Sequence, residues 1–120
     1  MPLLGRRGHR PAVRDENGHM IARVWRGWTS TQDADDYDQH YRLDVVPSLR
    51  QISGFRSARL LRRSSGGETE FVSATQFDSL DAIRAFAGEE YDVAVVSDAA
   101  RRVLVRFDTR VVHYDVAVEV

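Results

Sequence analysis

The sequence predicts a single α+β domain whose elements run strand, helix, strand, strand, helix, strand. Three observations carry this reading. Segments rich in β-branched and aromatic residues recur at 20–29, 55–63, 69–77 and 106–118. Apolar residues at helical spacing fill the gap between the first two segments and the gap between the last two. Between the second and third segments stands Ser64-Ser65-Gly66-Gly67, a short turn that makes a hairpin of the two strands.

Composition bounds the answer. The chain of 120 residues is the size of one domain, and 42% apolar against 29% charged residues is the balance of a soluble globular protein. Cysteine is absent, which excludes disulfides, thiolate metal centres and a cysteine nucleophile. All 17 basic residues are arginine, so lysine Schiff-base chemistry is excluded as well. A net charge of −1 speaks against nucleic acid as a partner. No apolar run approaches the roughly 20 residues that cross a membrane, and the N-terminus lacks the apolar stretch of a signal peptide. No membrane association and a cytoplasmic location are therefore expected.

Residues 1–19 read as a basic mobile extension, with Arg6, Arg7, Arg10 and Arg14 among Gly5, Gly8, Pro11 and Asn17-Gly18 and no apolar period. The folded domain is expected over 20–120. Met20 to Thr29 forms the first strand. Ser30 to Asp33 supplies the helix start, with acids at 33, 35 and 36 suiting its positive end. Tyr37, Tyr41, Val45, Leu49 and Ile52 then share one helix face. Pro47 falls inside this stripe and predicts a kink, or a break at which Pro47 opens a second short helix.

Ser53-Gly54 ends the first helical region, and Phe55 to Arg63 and Thr69 to Phe77 form the hairpin strands. Asp78-Ser79 caps a second helix with Leu80, Ile83, Phe86 and Ala87 inward and Gly88 at its end. Glu89 to Ser97 is a connection. Asp98 to about Val105 forms a further short helix capped by Ser97, and Arg106 to Val118 is one long final strand. The sum is a ferredoxin-like βαββαβ fold with a four-stranded antiparallel sheet. Two helices cover one face of such a sheet. The other carries apolar residues such as Val72 and Ala74, so a second copy of the chain is expected to cover it as a homodimer.

Several stretches, in order across residues 20–118, resemble the antibiotic-biosynthesis-monooxygenase-like family of dimeric α/β barrels. They are Met20-Ile21-Ala22-Arg23-Val24-Trp25-Arg26-Gly27, Ser53-Gly54-Phe55, the run from Phe77-Asp78-Ser79 through Phe86-Ala87-Gly88, and His113-Tyr114-Asp115-Val116. The resemblance implies a homodimer whose sheets face each other and a pocket between helices and sheet in each subunit. It also implies two chemistries. One is cofactor-independent oxygenation of polycyclic phenols. The other is haem degradation, which uses an asparagine, a tryptophan and a histidine. Here Phe77 takes the tryptophan position, the second helix has no histidine and the first strand no asparagine, so haem degradation is disfavoured.

Strand parity selects the pocket residues. With Phe77 facing the helices, as the family pattern implies, Phe71, Ser73 and Thr75 face them too. Ser73 and Thr75 are then hydroxyls where packing alone favours aliphatic residues, a sign of a cavity. Arg23 and Trp25 share one face of the first strand and are placed toward the pocket, with Arg26 and Trp28 on the other. Tyr91 completes the substrate-binding set of Trp25, Phe71, Ser73, Thr75, Phe77 and Tyr91. Arg23 is expected to stabilise a phenolate or enolate. His113 is expected to meet Arg23 across neighbouring strands and to act as base, whereas His40 reads as a structural histidine. No histidine–carboxylate pattern has metal-ligand spacing, so no metal and no cofactor are expected. The functional expectation is a cofactor-independent monooxygenase, or related enzyme, acting on a small aromatic polyketide-like ligand. The alternative is a non-catalytic dimeric ligand-binding protein.

Overall fold

A computed structural model describes residues 20–120; the expected extension over 1–19 lies outside the described residues. The strands are β1 (Ile21–Ser30), β2 (Phe55–Ser65), β3 (Glu68–Phe77), β4 (Leu104–Phe107) and β5 (Val112–Asp115). They form one antiparallel sheet in the order β2-β3-β1-β4, with β5 also paired to β1. This is the ferredoxin-like order, with β1 and β3 central. The hairpin turns on Gly66 and Gly67, with φ of 61° and 83°. A two-residue turn of that hand needs positive φ at both positions, which glycine supplies without steric cost.

The expected single final strand is instead two segments lying end to end along β1. β5 pairs with Ile21–Val24 and β4 with Gly27–Thr29. Between them the chain swings out to meet the connection around Val93. There Val93 bridges Arg110, Ala94 N–H donates to Thr109 O at 2.9 Å, and Val111 N–H donates to Asp92 O at 2.8 Å. The fourth sheet position is thus filled, but in two pieces, because residues 109–111 spend backbone groups on the connection.

The first helical region runs unbroken past Pro47: α1 (Ala34–His40), a π turn (Tyr41–Val45) and α2 (Val46–Arg50). Val46 N–H reaches back five residues to Tyr41 O. Proline has no N–H to give, and the wider turn just before it removes the need for a break. α3 (Leu80–Ala87) is capped by Ser79, whose side chain accepts from Ala82 N–H, and it ends at Gly88 with φ 90°. α4 (Asp98–Val103) is capped the same way, Ser97 accepting from Ala100 N–H.

All helices lie on one face of the sheet, over two separate clusters. Ile21, Leu49, Phe77, Ala82 and Ile83 form one, beneath α2 and α3. Ala34, Tyr37, Tyr41, Phe71 and Ala100 form the other, beneath α1 and α4. The division has a local cause. Along β3 the helix-facing residues are Phe71, Ser73, Thr75 and Phe77, large at the ends and small in the middle. Each aromatic ring anchors one cluster, and the hydroxyl pair between them leaves the centre unfilled. Among the described residues no helix is long and apolar enough to cross a membrane.

Candidate active site

A cavity of about 230 Å³ lies between the two clusters. Its floor is a block of four cross-strand partners, Arg23 opposite Thr75 and Trp25 opposite Ser73. Tyr37, His40, Tyr41, Asp44, Val45, Ser48 and Leu49 form the helical wall. Val95, Val96, Ser97, Ala100, Val111 and Phe86 close the remainder, with the exposed Asp44 and Val95 at the mouth.

Arg23 is buried, with 4% of its surface exposed. Its guanidinium donates to Tyr91 O and to Val93 O (3.3 Å), meets His113 Nε2 at 3.1 Å and lies 5.7 Å from the Phe86 ring centre. Among the described residues no carboxylate pairs with it directly. Burial pulls its pKa down to about 10, with Asp92 opposing the shift, so it remains a cation at neutral pH. The connection from Glu89 to Ser97 thus holds Arg23 in place. Pinned to residues 109–111, it delivers the two carbonyls that accept from the guanidinium.

His113 stands behind Arg23, off the cavity wall. Its Nδ1 lies 3.2 Å from Asp92 Oδ1. A guanidinium only donates, so Nε2 accepts and the proton sits on Nδ1, shared with Asp92. Burial lowers the His113 pKa, the Arg23 charge adds to this, and Asp92 opposes it. The chain Asp92–His113–Arg23 fixes the direction of the guanidinium.

Trp25 presents its ring to the cavity and ties its Nε1–H to Asp108 O at 2.9 Å. Its indole folds along β1 over Gly27, where any side chain would overlap the ring. Tyr41 Oη and Ser73 Oγ share a hydrogen bond of 2.9 Å between helix and sheet. Burial raises the pKa of both Tyr37 and Tyr41, keeping both phenols neutral.

The residues nominated from sequence therefore fall in three places. Arg23, Trp25, Ser73 and Thr75 meet on the floor. Phe71 and Phe77 are fully buried in the flanking clusters. Tyr91 packs its ring 5.6 Å from His113 and gives Arg23 its carbonyl. Sequence reasoning placed Tyr37 and Tyr41 only in a packing stripe and set His40 aside. A usable signal was that two tyrosines on a core-facing helix stripe bring hydroxyls inward, opposite Ser73 and Thr75. Among the described residues no group of three or more histidines or acids is placed to hold a metal.

Solved structures share this architecture. A cofactor-independent oxygenase from Streptomyces nogalater superposes with a TM-score of 0.61 at 13% identity, covering 84% of this chain and 96% of that one. A heme-degrading protein from Mycobacterium tuberculosis gives 0.60 at 16% identity, covering 87% and 98%. At such identities the likeness is one of fold. No curated protein matches the sequence. The sequence pattern of antibiotic biosynthesis monooxygenases matches residues 20–97, the stretch that supplies β1 to β3, the helical wall and all four floor residues, and the chain belongs to that family.

Proposed function

We propose that this chain is a cofactor-independent monooxygenase, or a related enzyme, acting on a small aromatic polyketide-like molecule bound between helices and sheet. The observation that carries the reading is Arg23: a buried cation with no direct carboxylate partner among the described residues, on the floor of a largely apolar cavity. Such a group is ready to pair with an anion that forms in the pocket. An anthrone-like ring system that loses a proton places negative charge on its oxygen, against Arg23. The carbanion itself reduces dioxygen. One oxygen atom enters the ring carbon as a carbonyl and the other leaves as water with the two hydrogens of that carbon, so no outside reductant is required.

Size refines the ligand. An apolar cavity of roughly 150 Å³ takes one benzene ring. The 230 Å³ here suits two fused rings, with any third at the mouth beside Asp44 and Val95. In this reading His113 is a positioning residue for Arg23, because its Nε2 lone pair is already used.

The functional unit is proposed to be a homodimer. On the helix-free face Val112, Val24 and Ala74 stand in one cross-strand row, and Leu61 and Val72 are partners in another. Leu61 and Val112 are each more than half exposed, as is Tyr114 beside Ala22. A second copy of the same face would bury these rows.

Oxygen uptake with a panel of anthrones and hydroxynaphthoquinones, read beside quenching of tryptophan fluorescence, tests the reading. Turnover without added cofactor is expected. Binding without turnover leaves the non-catalytic ligand-binding dimer, and neither binding nor turnover sinks the proposal for this ligand class.

A further inference from the structure

Besides the His113–Asp92 pair behind Arg23, a histidine–carboxylate pair lines the cavity itself. His40 is the last residue of α1, and its side chain is only 12% exposed. Its Nδ1 lies 2.9 Å from Asp44 Oδ2, four residues on at the mouth. Its Nε2 lies 3.4 Å from Ser97 Oγ, at the start of α4. All three residues line the cavity.

The two ring nitrogens are not equivalent. The carboxylate of Asp44 accepts only, so in the neutral ring it holds the proton on Nδ1 and leaves the Nε2 lone pair facing Ser97. Ser97 Oγ already accepts from Ala100 N–H, which leaves its own proton for Nε2. At 3.4 Å that bond is at the outer limit, so a ligand group reaching Nε2 displaces it at little cost. The contrast with His113 is direct, since there Nε2 is closed off by a permanent cation and the ring lies off the cavity wall. The face of His40 is fixed by the Tyr37 ring, 5.9 Å away.

We infer that His40, oriented by Asp44, is the proton acceptor for the ligand that the cavity binds, working with Arg23 from a different wall. This rests on the small-aromatic-ligand reading above. Arg23 rises from the sheet and His40 faces in from the helical layer. The class of ligand that uses both has an acidic hydrogen on one side of a ring system and an oxygen conjugated to it on the other. The C–H or O–H bond breaks toward His40 and the new N–H bond forms at Nε2. The freed electron pair delocalises through the ring onto the oxygen beside Arg23. Base and cation thus act on one conjugated system from separate points, the arrangement that lowers the cost of forming its anion.

A naphthol carrying an aldehyde at the far end of its ring pair is a suitable probe, because its anion absorbs at longer wavelength than its neutral form. At a pH where the free probe is neutral, the native chain is expected to bind it as the anion. His40→Gln should bind it with affinity within a few-fold of native but in the neutral form, and Asp44→Asn should show a mixture. Imidazole added to His40→Ala should restore the anion band, an effect that a merely structural histidine would not give. A full anion band in His40→Gln, or no response of His40→Ala to imidazole, overturns the role of His40 and leaves the ligand reading standing. Failure of the native chain to bind the probe or any of the anthrone panel removes both.

Discussion

Arg23 and His113 are cross-strand partners on β1 and β5, and the Arg23 guanidinium meets His113 Nε2 at 3.1 Å. Arg23→Met keeps an unbranched apolar stem but removes the guanidinium and strands three acceptors: Tyr91 O, Val93 O and His113 Nε2. Leaving buried acceptors unpaired is expected to cost about 1–3 kcal/mol, measured as a shift in urea unfolding. The same variant should lose affinity for anionic aromatic ligands while neutral analogues bind nearly as before. Equal loss for both would show that Arg23 packs without pairing.

His113 also sets a pH dependence. Its pKa in the folded chain is lowered from the ordinary 6.5, chiefly by burial. The unfolded chain therefore takes up this proton more readily, and stability rises with pH across the interval. The His113 contribution is complete above about 6.5 and is lost as pH falls from there through the folded value. Chemical unfolding at a series of pH values should show this slope, and His113→Gln should flatten it. An unchanged slope in the variant would assign the effect to other groups.

Gly27 is predicted to be as important to the cavity as Trp25. The indole lies where a Cβ on residue 27 would have to be, and Leu104 stands on the other side of the same space. Gly27→Ala should cost about 1–3 kcal/mol through overpacking. It should also swing Trp25 off its bond to Asp108 O, shift tryptophan emission and weaken ligand binding by about tenfold, equivalent to 1.4 kcal/mol. Native-like emission and affinity would show that the ring has another resting place.

Val24 stands at the centre of the apolar cross-strand row on the helix-free face. Native chain is expected to sediment as a dimer at micromolar concentration, and Val24→Arg as a monomer, since a buried unpaired charge at an interface costs several kcal/mol. A native monomer would end the dimer proposal.

The sequence made much of this legible because its local signals agree with one another. Ser79 and Ser97 were readable as caps, Gly66-Gly67 as a tight turn, and the alternation of Phe71, Ser73, Thr75 and Phe77 placed two hydroxyls under the helices. Even the meeting of Arg23 and His113 followed from strand neighbourhood and parity. What stayed hidden depends on contacts between distant segments. The valine-rich run near the C-terminus gives no sign that residues 109–111 leave the sheet, because the cause is the connection around Val93. His40 looked structural because Ser97, the residue that gives its Nε2 a direction, is 57 positions away. Phe71 and Phe77 were placed on the correct face, yet parity does not tell a cavity wall from the packed core on either side of it.

The π turn at Tyr41–Val45 has a consequence for helical phase. Residues four apart on an ideal α-helix drift by about 40° per step, at 3.6 residues per turn. Tyr37, Tyr41, Val45 and Leu49 make three such steps, and on a regular helix Leu49 would point about 120° away from Tyr37. The wider turn unwinds that drift, so one stripe reaches from the Tyr37 cluster to the Leu49 cluster and walls the cavity on the way. A single deletion between Tyr41 and Val45 would let a regular helix keep the same wall, because eleven residues at about 100° each leave Leu49 only about 20° from Tyr37. The π turn is thus the local seat of one extra residue, held without loss of phase beyond it.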